Sequence, residues 1–169
     1  MAVRKPNRLK DYDYSQDGAY FVTICIQNRR EILGKIIIGV AHEKTEASLD
    51  GIPYVALTET GMMVKQYIDK TPEFYNAVEI DNYVIMPNHI HMIIFLNTGT
   101  PVYVSPTKSM LPKIINAFKS LTSRHFGETM WQRSYYDRII RNEEEYRKIW
   151  EYIDENPLNW ETDKYFLKC

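Results

Sequence analysis

Cysteine is scarce in this chain of 169 residues: there are two, Cys25 inside an apolar run and Cys169 at the last position. Two thiols so placed make neither a disulfide framework nor a zinc knuckle, and they fit a reducing cytoplasm. Long hydrophobic runs are missing too. No stretch approaches the roughly 18–20 apolar residues of a membrane span. The opening MAVRKPNRLKDYDYSQDG has no apolar core, so neither a membrane partner nor export is expected. Net charge is nearly absent, at −1, which argues against a protein that coats nucleic acid indiscriminately. Internal repeats and low-complexity segments are lacking as well. What is present is 44% hydrophobic content, enough for a sizeable core, and 1–169 reads as a single domain.

Charge that nearly cancels in sum is segregated along the chain. Residues 1–40 hold seven Lys/Arg against four Asp/Glu, and 101–141 hold seven against two. Residues 41–100 hold three against eight, and 142–169 four against eight. If the two positive segments meet in space they build a basic face; otherwise they are separate solvated surfaces.

The most informative stretch is DNYVIMPNHIHMIIFL, residues 81–96. It sets His89 and His91 on either side of Ile90 in an apolar strand-like run. Side chains two apart on a strand share a face, so both imidazoles project together while Ile90, Met92 and Ile94 go to the other side. Such a pair can hold a metal ion with positions left open for substrate, or can be two satisfied core histidines. Metal occupancy of such a site should fall as pH drops through the imidazole pKa near ~6.5.

Around it the chain reads in order as follows. Residues 1–17 form a polar arm, and Gly18 opens a strand, AYFVTICIQ. Strands follow at 33–40 and 52–57, with a polar loop at 41–50 between them. Thr58 or Thr60 caps a helix to about Lys70, and Thr71-Pro72 ends it or starts another turn. Residues 77–86 and 88–96 are two strands, or one long strand bent at Pro87, apolar on both faces and so central in a sheet. A loop at 97–106 leads to a helix over 108–126, with Leu111, Ile114, Ile115, Phe118 and Leu121 inward and Gly127 after it. A short strand, SYYDRII, precedes the last helix at 143–155, which Asn142 and Glu145 cap. Pro157 stops that helix. The order βββαββαβα predicts an α+β domain with a ferredoxin-like antiparallel sheet and helices on one face.

On the last helix Tyr152 and Asn156 stand four apart and share a face. If that face packs beside His89 and His91, two imidazoles, an amide oxygen and a phenol converge, with Tyr152 beside the cation as nucleophile. Otherwise Tyr152 is one packing tyrosine among thirteen, and Asn156 is a helix terminator.

The motifs also carry a resemblance. MPNHIHMII resembles the His-hydrophobic-His motif of the HUH endonucleases. The stretch WQRSYYDRIIRNEEEYRKIWEYIDENPLNW resembles the C-terminal motif of the REP-associated tyrosine transposases, relatives of the single-tyrosine insertion-sequence transposases. RLKDYDYSQDGAYFVTICIQNRR is similar to that family's opening, so the resemblance spans 8–160.

The resemblance implies an HUH endonuclease fold and a nuclease and strand transferase acting on single-stranded or hairpin DNA with Mg²⁺ or Mn²⁺. It makes Tyr152 the catalytic tyrosine, leaving a 5′-phosphotyrosine and a free 3′-OH, with His89, His91 and Asn156 as metal ligands. Arg29, Arg30, Lys113, Lys119, Arg133 and Arg138 are candidate phosphate contacts, and Arg8 and Tyr12 candidate base contacts. The acidic positions 143–145, 151, 154 and 155 belong on the solvent side of the last helix. Related transposases include monomers and homodimers. Two other functions compete: a non-catalytic nucleic-acid-binding protein on the same scaffold, and a metal-dependent hydrolase. The hydrolase needs a carboxylate base that the motif lacks.

Overall fold

In the computed structural model, which describes residues 18–38, 51–97 and 110–166, the elements follow the expected order. They are β1 (Gly18–Cys25), β2 (Gly34–Ile38), β3 (Pro53–Leu57), α1 (Glu59–Phe74), β4 (Val78–Met86), β5 (His89–Leu96), α2 (Met110–Phe126), β6 (Tyr136–Ile140) and α3 (Glu143–Asp154). The arm at 1–17 with Arg8 and Tyr12, the loop at 41–50 and most of the loop at 97–106 lie outside the described residues.

Four strands form one antiparallel sheet in the order β4-β5-β1-β6, and β2 pairs with β3 in a separate ribbon. β5 is interior, as expected of a strand apolar on both faces, whereas β4, expected central on the same ground, is an edge strand with Glu79 and Asp81 exposed to solvent. The register of β5 sets His91 opposite Thr23, Ile90 opposite Ile24 and His89 opposite Cys25. Strand alternation then sorts the two faces. Tyr20, Val22, Ile24, Ile90, Met92 and Ile94 pack against Val64 and Ile68 of α1 and Leu111, Ile114, Ile115 and Phe118 of α2.

The α+β class and the antiparallel sheet are those expected, and α1 and α2 share one face. α3 takes the other. Ile149 and Ile153 pack on Ile93, with Phe21, Val84, Phe95, Ile140 and Tyr146 around them. A strand apolar on both sides leaves both sides to be covered, and α3 covers the histidine side.

Local chemistry sets the helix ends. Thr58 caps α1 by accepting from the Gly61 N–H at 3.1 Å, while its own hydroxyl donates to the Ile32 carbonyl at 2.6 Å. α1 runs through Thr71-Pro72 to Phe74, so Pro72 lies inside the helix rather than ending it at that point. Asn142 caps α3 by accepting at Oδ1 from the Glu145 N–H at 2.8 Å, and the Glu145 carboxylate accepts from the Arg141 N–H at 2.9 Å. In α2 the inward stripe continues from Phe118 to Thr122, so Leu121, expected inward, is 41% exposed. The buried Thr122 hydroxyl accepts from the Trp131 indole N–H at 2.8 Å.

Candidate active site

His89 and His91 stand on one face of β5 and are fully buried. Their Nε2 atoms lie 3.0 Å apart. A partner on the other nitrogen turns each ring. Asn88 donates from Nδ2 to the carbonyls of Arg29 and Tyr165, at 3.3 and 3.0 Å, so its Oδ1 faces His89 Nδ1 at 2.9 Å. The Thr23 hydroxyl meets His91 Nδ1 at 2.8 Å. With each Nδ1–H donated to these oxygens, both Nε2 lone pairs converge on one point. Lone pairs that close repel, and a cation between them converts the repulsion into coordination.

α3 brings Tyr152 and Asn156 to the same point, which their four-residue step allows. The Tyr152 hydroxyl is 3.3 Å from His91 Nε2, and its ring stands edge-on to Phe21 with centroids 6.0 Å apart. Asn156 is 1% exposed; its Nδ2 donates to Asp163 Oδ2 at 3.3 Å, and its Oδ1 is buried with no hydrogen-bond partner. An unsatisfied buried acceptor costs about 1–3 kcal/mol. An orphaned amide oxygen beside two inward imidazole nitrogens is what a cation ligand looks like before the cation binds, so the donor set fits a divalent ion.

Asp163 is the residue that sequence reasoning missed. Its ligand atom and those of His89 and His91 all lie within 4.8 Å of one another. Its Oδ1 accepts from the Tyr165 N–H at 2.6 Å, and its Oδ2 lies 3.5 Å from the Tyr152 hydroxyl. No helix or strand period relates Asp163 to the motif, because it follows Pro157 and the single turn Trp160–Thr162. The same segment lays Tyr165 and Trp160 against the His89 ring, at centroid distances of 4.5 and 6.0 Å. That cover keeps the imidazoles dry.

Burial is the main electrostatic cause here. It pushes His89 down to about 3, with the nearby Lys164 charge adding to it, and holds His91 well below its ordinary value. Both rings are therefore neutral at neutral pH, as ligands must be. Burial, then the charge of Asp163, raises the Tyr152 phenol, so it carries its proton until something removes it. Two further tyrosines stand nearby on the approach to and start of β6: Tyr135 is buried in the α1–α2 core and Tyr136 faces the histidine side, 49% exposed.

The candidate cations have varied surroundings. Arg29 donates to the Lys164 carbonyl at 3.1 Å, and Arg30 pairs with Glu128 at 2.8 Å. The half-buried Lys119 ammonium donates to the carbonyls of Gln132 and Arg133, at 2.5 and 3.1 Å, and so pins the approach to β6. Arg138 pairs with Glu145; Lys113 and Arg133 are exposed. The acidic residues of α3 are exposed apart from Glu145, which is partly buried between its Arg partners.

Fold and site together define an α+β protein built on an antiparallel sheet, with a dry, metal-competent histidine pair beside a helix-borne tyrosine. The sequence pattern described as "Transposase IS200 like" matches residues 55–156, from β3 past the end of α3. The chain belongs to this transposase family, and is an enzyme of that class. An uncharacterized protein of Haemophilus influenzae is 35% identical over 182 aligned positions, covering 97% of this chain and 93% of its own length. Among solved structures, a REP-associated tyrosine transposase bound to a REP hairpin shares the fold, with TM-score 0.60 at 22% identity over 93% of this chain and 76% of that one. Among the described residues no helix is long and apolar enough to cross a membrane.

Proposed function

We propose that this transposase is a metal-dependent single-stranded DNA endonuclease and strand transferase working through a 5′-phosphotyrosine at Tyr152. The observation that carries the proposal is the Tyr152 hydroxyl, 3.3 Å from His91 Nε2, beside a dry pair of neutral imidazoles. The shared fold with a transposase bound to a REP hairpin supports hairpin-bearing single-stranded DNA as the partner. In this reading residues 1–169 make up one transposase domain, which acts in the cytoplasm as a monomer or a homodimer.

His89, His91 and Asn156 Oδ1 would hold Mg²⁺ or Mn²⁺ in this reading: the amide oxygen is the donor type that suits such hard ions, and the two imidazoles complete the set. Bound there, the ion supplies Lewis-acid polarisation of a phosphoryl oxygen, worth several kcal/mol. The chain's own residues do the rest. Asp163 Oδ2, 3.5 Å from the phenol, accepts its proton as Tyr152 Oη attacks phosphorus. One Oη–P bond forms, the P–O3′ bond breaks, and the 3′ oxygen leaves with a proton from solvent. Attack by a 3′-OH on the phosphotyrosine reverses the sequence and joins strands. A non-catalytic binder needs none of these groups together.

A second reading has one observation in its favour. Asp163 supplies the carboxylate that a water-using metal hydrolase needs, and such an enzyme forms no covalent intermediate. Incubation with hairpin oligonucleotides carrying single-stranded flanks and Mn²⁺, followed by a denaturing gel, separates the two. Tyr152→Phe should lose adduct and cleavage while DNA affinity stays within about twofold, because only one hydroxyl is removed. Tyr135→Phe, Tyr136→Phe and Tyr146→Phe should each keep the adduct, and the trapped nucleotide should map to the peptide containing Tyr152. An adduct in the Tyr152→Phe protein refutes the mechanism, and cleavage without any adduct favours the hydrolase.

A further inference from the structure

A cavity of about 480 Å³ opens beside Tyr152, between α3 and the β1–β6 edge of the sheet. Sites for small ligands span ~300–1,000 Å³. The proposed chemistry uses Tyr152 at one end of this cavity and leaves the rest unexplained. Its most conspicuous wall is Tyr136, a large ring left 49% exposed on β6. Register explains the ring's orientation. Thr23 pairs with His91 on one side and with Tyr136 on the other, so the three form one row across the sheet. Two strand spacings, about 10 Å, separate the backbones of Tyr136 and His91.

Phe21 lies in the same face, stacked on His91 with centroids 5.2 Å apart, and reaches into the cavity from the next position along β1 on that face. The cavity is therefore aromatic at its walls. Lys148 and Lys164 are exposed at its rim. The Glu145 carboxylate, paired with Arg138, also lines it, which disfavours a phosphate inside and leaves the rim as the place for one. An apolar planar group inside with phosphates outside describes one nucleotide of an unstacked strand.

We propose that this cavity takes the nucleobase flanking the scissile phosphate, stacked against Tyr136 and Phe21, with Lys148 and Lys164 at the adjoining phosphates. The inference rests on the strand-transferase reading above and names the part of its substrate that this site reads. A base in a single strand exchanges its own neighbours for an aromatic wall, and holding it there fixes the phosphate next to Tyr152.

The test is binding in chelator, so that no strand is cut, with 2-aminopurine placed at successive positions of the single-stranded flank of a hairpin oligonucleotide. Fluorescence should fall on binding at one position adjacent to the cleavage point. Tyr136→Ala should abolish that fall and weaken binding about 5- to 150-fold, the range of one lost base–aromatic stack. Tyr136→Phe should keep both. With wild-type protein, an abasic residue at the same position should reproduce the loss of affinity, and adding Tyr136→Ala should weaken binding no further. Losses that multiply, or a fluorescence change indifferent to Tyr136, overturn the inference. The adduct assay separates the two levels. Adduct formation without a Tyr136-dependent base signal overturns this inference alone, whereas the base signal without adduct overturns only the phosphotyrosine step. Absence of both overturns both.

Discussion

At the scale of single residues, the site depends on two histidines that stay neutral. Solution values place proton competition near ~6.5, and the sequence led to that expectation for metal binding. Burial moves it, because His89 is depressed to about 3 and His91 lies well below its ordinary value. Mn²⁺ affinity of the folded protein, measured by titration, should therefore be nearly flat between pH 7.5 and 5.5. Stability should not be flat. Between the unfolded value near ~6.5 and the folded value, the unfolded chain binds more protons, so stability falls as pH falls. Each histidine contributes up to roughly tenfold in the folding equilibrium per pH unit. Thermal melts of wild type should drop through that window, and His89→Ala should flatten the drop while abolishing metal-dependent cleavage, as should His91→Ala and chelator. The shared face of His89 and His91 and that of Tyr152 and Asn156 were legible in the sequence, because His-x-His and the Tyr152–Asn156 step are rules of strand and helix period; that the two pairs meet was not, since it depends on the side of the sheet α3 covers. Asp163 was not, since only the turn after Pro157 returns it to the histidines.

Elements add constraints that periodicity does not carry. The first turn of α1 lies against the chain entering β2: a Cβ built on Gly61 would meet the Leu33 carbonyl oxygen at 1.9 Å, a backbone atom that cannot swing away. Alanine would gain about 1 kcal/mol in helix propensity, but overpacking of this kind typically costs ~1–3 kcal/mol or more. The clash should win. Gly61→Ala should lower the denaturant midpoint by a net destabilisation of up to about 2 kcal/mol, and an unchanged midpoint would show that α1 can shift outward. Leu121 carries a related lesson. A list of apolar residues on α2 includes it, yet the buried stripe runs to Thr122, whose hydroxyl has Trp131 to satisfy it. Burial followed geometry rather than hydrophobicity because a partner for the polar atom was at hand.

At the scale of the whole molecule, the described parts of the two basic segments meet at one place. An isolated bridge pairs Ile26 with Trp131, and Gln27 N–H donates to the Met130 carbonyl at 2.8 Å, which brings the 29–30 turn beside the 128–134 loop. Binding of single-stranded DNA should therefore weaken steeply with salt, by a slope of about 0.7 per phosphate neutralised. Arg133→Glu, at an exposed position, should reduce the slope by roughly that amount and weaken all sequences alike. Lys119→Glu should instead destabilise the fold, because its ammonium is held by main-chain carbonyls ahead of β6. Titrations at several salt concentrations beside a melting curve distinguish the two, and a salt-independent affinity would remove the electrostatic contribution.

The order of elements, the central position of β5, both caps of α3 and the facing of the two histidines were determined by the sequence alone. Each depends on neighbours within a few residues, where hydrogen-bond periods and side-chain alternation act. Three things belonged to the tertiary structure: the side of the sheet that α3 covers, the return of Asp163 to the histidine pair, and the cross-strand row from His91 through Thr23 to Tyr136. All three set residues from distant parts of the chain side by side. Strand register and core closure place them there, and these are settled only when both faces of the sheet are buried together.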